Sequence, residues 1–342
     1  TGLVVVGDLI GEGAAQEETV VGETPNLAAR LQGIAVPGQV VIAESTRRLL
    51  GAGFELHDLG AHTLKGMADS VTAFSVACER AMESRFEARS AGLLPMVGRD
   101  QELELLLECW QQAKTGMGQT ILLVGEAGIG KSRIVHALLD TLTSETHTRI
   151  RYQCSPYHSD SALWPVIQQL SRAVGFAADA DNDTRLDHIE TMLALAGSTD
   201  AAQLFGELLG LDTSRYGVLN LSPQVKRART LEAITLQLLG LAAKTPVLVV
   251  LEDAHWIDPS TMELLLQCLD RSTDHRVMML ITTRPDEQQQ LAAHPNVTRL
   301  TLNRLGRSGV EAIVTRLGGR TLTAEVMDTI IARTDGVPLY VE

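Results

Sequence analysis

The apolar positions of the chain fall into two regimes. Over residues 1–78, short apolar runs alternate with short helical patterns. Residues 3–6 are continuously apolar, which predicts a buried strand. Residues 25–34 read as a helix with Pro25 in its first turn, where a missing N–H costs nothing. Pro37 and Gly38 mark a turn before a strand at 39–43, and 44–50 reads as a short helix that Gly51 would stop. Residues 54–59 and 71–76 alternate apolar and polar side chains, the period of half-buried strands. This first region is expected to be α+β with a partly antiparallel sheet. Residues 79–93 are charged and poorly periodic, and read as a solvated linker, helical in part.

From residue 94 to 342 the pattern changes. Leu103, Leu106, Leu107 and Trp110 make the i, i+3, i+4, i+7 stripe of an amphipathic helix over 99–114. Strands are predicted at 120–124, 149–153, 247–251 and 277–282, and helices at 131–142, near 162–174 and at 222–243. Such alternation implies an α/β unit whose parallel sheet is covered on both faces. A further helix starts after Pro338. Residues 175–221, with Asp179, Asp181 and Asp183, lack the glycine and closing glutamate of a calcium loop and read as a solvated surface insertion. Pro156, Tyr157, His158 and the helix from Leu163 read as core packing, with a sensor segment as the alternative.

Composition narrows the classes. With 342 residues, 45% hydrophobic and 21% charged, the chain is globular and large enough for about two domains. No apolar run approaches the ~18 residues of a membrane span. A net charge of −13 argues against a general nucleic-acid binder, which needs a basic field. Cys78, Cys109, Cys154 and Cys268 lie far apart, so neither a disulfide framework nor a zinc site is indicated. Reduced cysteines fit a cytoplasmic protein. The chain opens at Thr1 and stops at Glu342, and both ends read as cut from something longer.

Residues 125–132, Gly-Glu-Ala-Gly-Ile-Gly-Lys-Ser, fit the pattern GxxxxGK[ST] between an apolar strand and a helix. Gly125, Gly128 and Gly130 let successive backbone N–H groups turn inward toward phosphate oxygens, at a helix N-terminus that favours negative charge. Lys131 would bridge β- and γ-phosphates and Ser132 would hold Mg2+. The strand at 247–251 ends in Glu252 and Asp253. Acids at the carboxyl edge of a parallel sheet sit where ligands bind. One would hold Mg2+ through water and the other orient an attacking water, in either order.

In this context residues 94–342 resemble the signal-transduction NTPases with numerous domains, a branch of AAA-like P-loop ATPases. Val97-Gly98-Arg99-Asp100 resembles the family's opening motif on the adenine side, and Glu252-Asp253-Ala254-His255-Trp256 its acid-acid-x-His-Trp signature. Thr282-Thr283-Arg284 resembles the sensor strand, whose arginine contacts the γ-phosphate. Gly336-Val337-Pro338 resembles the G-x-P motif, whose proline packs near the base.

Residues 1–8 with 22–31 resemble the second half of a class III nucleotide cyclase catalytic domain. Asn26 and Arg30, four apart on a helix, project from one face. The resemblance implies that Asn26 positions the ribose and Arg30 stabilises charge developing on phosphate. Leu64-Lys65-Gly66 matches a later motif whose lysine binds the triphosphate, and Thr19 falls where the adenine edge is read. The family's two metal-binding aspartates would precede Thr1, and its sites form across a dimer.

The resemblances imply a truncated α+β cyclase domain followed by a P-loop NTPase parallel sheet with a helical extension. They imply a cytoplasmic adenylate cyclase using ATP with Mg2+ or Mn2+, homodimeric through the cyclase domain and switched by an ATP-binding module. In this stretch alone, cyclase activity is not expected. Protein partners would meet the ATPase module or a C-terminal region missing from this stretch, and neither membrane nor direct nucleic-acid contact is expected. The alternative is an ATP-sensing scaffold or transcription regulator whose cyclase-like part only dimerises.

Overall fold

A computed structural model describes residues 4–6, 20–50, 54–64, 70–79, 96–175, 180–193, 200–285, 287, 289–318 and 322–341. The chain forms two compact units, 1–93 and 94–342.

In the first unit the described elements are β1 (Val5–Val6), β2 (Val20–Val21), α1 (Glu23–Gln32), β3 (Val40–Ala43), α2 (Glu44–Leu50), β4 (Phe54–His62) and β5 (Val71–Glu79). Strands β1 and β2 pair antiparallel, and β5 is the antiparallel centre of a sheet ordered β3-β5-β4. Its mid-strand residues Ala73, Phe74 and Ser75 are all buried. Helix α1 begins two residues earlier than its spacing suggests, at Glu23, so Pro25 still falls in the turn whose N–H groups have no helical partner. Gly33 ends it, donating its N–H to the Arg30 carbonyl at 3.1 Å. In α2 the Arg47 guanidinium, doubly bonded to Glu44, holds that carboxyl down at about 2.

The second unit runs α3 (Asp100–Lys114), β6 (Gln119–Val124), α4 (Lys131–Thr141), β7 (Thr148–Gln153), α5 (Trp164–Val174), α6 (Asn182–Leu193), α7 (Ala201–Leu208), α8 (Pro223–Lys244), β8 (Val247–Glu252), α9 (Pro259–Arg271), β9 (Val277–Thr283), α10 (Gln289–Ala292), β10 (Thr298–Thr301), α11 (Arg307–Gly318), α12 (Ala324–Thr334) and α13 (Pro338–Val341). Five parallel strands lie in the order β10-β6-β9-β8-β7. The fold class is therefore α/β: a parallel P-loop sheet with a helical extension, preceded by the small antiparallel unit.

Strand side chains alternate between two cores, as the pleat requires. Ile121, Leu123, Leu248, Val250, Met278 and Leu280 pack with α3 and α4 around Leu106, Trp110 and Leu138. Leu122, Val249, Leu251, Met279 and Ile281 face the opposite layer, built from α5 to α9. The helical extension has its own cluster, with Leu305, Val310, Ile313 and Met327.

One expectation fails here. The described residues of 175–221 are not a solvated insertion: α6 and α7 put Leu186, Ile189, Ala201 and Phe205 fully inside the second core, and Asp179 lies outside the described residues. On the outer side of α6, Asp187 and Glu190 receive Arg215. The segment at 156–158 also divides. Tyr157 is exposed, while His158 stacks on Trp164 with ring centres 3.8 Å apart. No described helix is long and apolar enough to cross a membrane.

Candidate functional site

Because all five strands run the same way, the segments that leave β6, β8 and β9 emerge on one edge of the sheet. The loop after β6 is held to its neighbour by the Gly125 N–H donating to the Thr283 carbonyl at 3.2 Å. Two of its glycines are conformationally required: Gly128 and Gly130 have φ of 77° and 104°, in the left-handed region. A Cβ at Gly128 would also lie 2.8 Å from Leu339 of α13. Lys131 begins α4, and its ammonium donates to the carbonyls of Gly125 at 2.6 Å and Glu126 at 2.9 Å. Burial lowers its pKa, against the pull of nearby Asp253 and with the push of Arg284. Lysine, acid and arginine thus lie within electrostatic reach of one another.

Glu252 and Asp253 have different surroundings. Glu252 is buried; Oε1 accepts Nε of Arg151 at 2.8 Å and Nη2 at 2.6 Å, and the Ser132 hydroxyl bonds the same carboxyl. Burial pushes its pKa up, and Arg151 opposes that push. Asp253 turns left-handed at φ 57°, donates its N–H to Thr282 Oγ1 at 3.0 Å and accepts Gln153 Nε2 at 3.1 Å. Beyond it, His255 and Trp256 lie ring to ring at 4.2 Å, and the exposed Arg284 guanidinium sits 5.2 Å from the Trp256 ring centre. Both His255 ring nitrogens are shielded from solvent with no hydrogen-bond partner among the described residues. Burial lowers the His255 pKa, which favours the uncharged ring.

The residues expected on the adenine side gather around Leu305. Val97 packs against the cluster containing it. A Cβ at Gly98, where φ is 66°, would lie 3.4 Å from its side chain. A Cβ at Gly336 would meet the Leu305 carbonyl oxygen at 2.4 Å. Pro338 is buried at the start of α13, and the next N–H, of Leu339, donates to Gly128 at 3.3 Å. Arg99 is buried and donates to the Asn303 carbonyl at 2.5 Å and the Ile129 carbonyl at 3.4 Å. It braces the loop with its main-chain bonds. Arg304 similarly ties Glu126 to Asp335.

In the first unit, Asn26 is exposed and Arg30 half-buried, one turn apart on α1. Thr19 and Lys65 lie outside the described residues. Sequence reasoning missed Arg151, Gln153 and Arg304. The signal for the first two was present: polar side chains two apart on one face of a strand that must lie inside an α/β sheet.

For Mg2+, the donor set fits. The cation takes oxygen ligands and is commonly held by one or two carboxylates, waters and substrate phosphates, without a dedicated protein cage. Ser132 and Glu252 offer a hydroxyl and a carboxylate together, and no cluster of three metal-binding side chains occurs among the described residues.

The chain belongs to the AAA ATPase domain family, which it matches over residues 95–281. Residues 1–77 match the adenylate and guanylate cyclase catalytic domain. An uncharacterized protein of Rhizobium meliloti (strain 1021) is 28% identical over 347 residues, covering 98% of this chain. The chain spans 33% of that relative's length. Among solved structures, the chain is similar to a signal transduction ATPase with numerous domains and a tetratricopeptide repeat sensor from Pyrococcus horikoshii. That similarity has a TM-score of 0.40 and 17% identity, over 73% of this chain and 29% of the other. A RuvB variant from Thermotoga maritima gives a TM-score of 0.37 and 13% identity, over 72% and 59%.

Proposed function

We propose that this AAA ATPase-family chain comes from an adenylate cyclase controlled by an ATP-binding switch. ATP bound at the loop after β6 would place its phosphates against Lys131 and Ser132, with Glu252, Asp253 and Arg284 around the terminal group. Mg2+, when bound, supplies charge neutralisation at the phosphates. Ser132 would hold it directly and Glu252 through water. Binding would draw Lys131 from its own loop carbonyls and Arg284 from Trp256, a local change of the kind nucleotide switches use.

At the cyclase domain, Asn26 and Arg30 would present one wall of a site completed by a second copy, with Mg2+ or Mn2+ held by the other wall. Asn26 would position the ribose of ATP. Arg30 would stabilise phosphate charge as the 3′-oxygen attacks and pyrophosphate leaves; stabilisation of this type contributes about 3 kcal/mol. Thr19 would read the adenine edge and Lys65 hold the triphosphate. Acidic net charge supports neither nucleic-acid nor anionic-membrane contact, and free, buried Cys109, Cys154 and Cys268 suit a reducing cytoplasm.

The observation that carries this reading is the convergence of Lys131, Ser132, both acids and Arg284 on one sheet edge, in a chain that also matches the cyclase domain. The test is cyclic AMP production by the full-length parent. Arg30→Ala is expected to lower turnover at least a hundredfold without changing ATP binding at the loop, whereas Lys131→Ala removes that binding and the response of cyclase rate to it. Unchanged turnover in Arg30→Ala removes the cyclase assignment.

A further inference from the structure

Arg151 is an uncommon side chain for its place. It lies on β7, its guanidinium 3% exposed, with two donors on one oxygen of Glu252. Burying two charges costs several kcal/mol per ion, and such a pair is often no more stabilising than apolar side chains of the same volume. Stability alone is therefore a poor reason for an arginine there. Its setting gives another: the Ser132 hydroxyl bonds the same carboxyl, and Lys131 precedes Ser132. At this edge Lys131, Arg151 and Arg284 face Glu252 and Asp253, while Glu126 of the loop is paired with Arg304. Arg151 is the cation bonded to Glu252.

Resting on the reading that this loop holds a triphosphate, we propose that Arg151 is a positioning residue and built-in counter-ion. It fixes Glu252 as the acceptor for Ser132 and lets the loop hold ATP without an obligatory Mg2+. Oε1 of Glu252 is already saturated by two N–H donors, so a hydrated metal gains less here than at a carboxylate with both oxygens open. With Glu252 offset by Arg151, Lys131 and Arg284 remain to attract phosphate when the metal is absent.

Calorimetric titration of the 342-residue chain with ATP, in Mg2+ and in EDTA, tests this. The two affinities are expected to agree within about tenfold. A larger dependence on Mg2+ overturns the role of Arg151 while leaving the phosphate loop standing. Absence of binding in both conditions overturns the triphosphate reading and this inference with it. Arg151→Met is expected to weaken metal-free binding about tenfold and MgATP binding less; a merely structural arginine would leave their ratio unchanged. Because that variant strands a buried carboxylate and can cost the fold, Arg151→Met with Glu252→Gln is measured beside it. The pair restores the wild-type charge balance, and metal-free affinity should return to within about threefold of wild type. Failure to return in a folded double variant counts against the counter-ion role.

Discussion

Asp253 is the first residue past β8, and its backbone turns left-handed there, with φ 57° and ψ 43°. That conformation costs an ordinary L residue roughly 1–2 kcal/mol, less for Asp and Asn, whose short side chains bond locally. Here the strain is held by two bonds, the N–H to Thr282 and the carboxylate to Gln153, so the acid is fixed from β9 on one side and β7 on the other. Strain of this kind gathers at functional sites because the surroundings over-determine it. The two changes Asp253→Asn and Asp253→Ala separate charge from conformation. Asn keeps an acceptor for Gln153 and tolerates the turn; Ala does neither. In urea denaturation Asp253→Ala should be about 1 kcal/mol less stable than Asp253→Asn. Equal stabilities would mean that the backbone, and not the side chain, sets the turn.

At the scale of elements, what the sequence made legible follows from physics local to a few residues. The glycines of 125–132 sit between β6 and α4 as expected, because only that backbone fits the loop, and Glu252 ends β8 with Asp253 just beyond it. What was illegible depends on partners far along the chain. Arg151 and Gln153 look like a strand's polar face until β8 is laid parallel beside them with its two acids at the matching end. Leu339 is an apolar residue with no visible role until α13 closes on Gly128. Helix α6 was obscured by its outer charges, although Leu186, Ile189 and Leu193 are spaced as a helical stripe and all are buried. That burial makes a prediction. Leu186→Ala leaves a cavity against Gly206 and the second core, and should cost about 2–5 kcal/mol in chemical denaturation. Glu190→Ala, on the outer side, should cost no more than roughly 1 kcal/mol, the scale of an exposed ion pair. If Leu186→Ala also falls within that range, the helix is not part of the core.

At the scale of the whole molecule, the division into 1–93 and 94–342 assigns each proposed nucleotide contact to its own unit. A ligand that binds only the native state adds RT ln(1 + [L]/Kd), about 2.7 kcal/mol at a hundredfold excess over Kd. For a unit of 150–250 residues each kcal/mol moves the midpoint by about 2–4 °C, so ATP should raise the transition of 94–342 by roughly 5–10 °C. The transition of 1–93 should stay where it is, since the cyclase reading gives that stretch only one wall of a site. Differential scanning calorimetry with and without ATP separates the cases, provided the two transitions are assigned by comparing Leu186→Ala with wild type. Lys131→Ala should abolish the shift, because Lys131 bridges the mouth of the loop, and Arg30→Ala should leave it intact. If both transitions move together, the units melt as one cooperative body and ATP at the loop stabilises the cyclase part directly. If neither moves at saturating ATP, the loop after β6 is not a triphosphate site, and the switch built on it has no ligand.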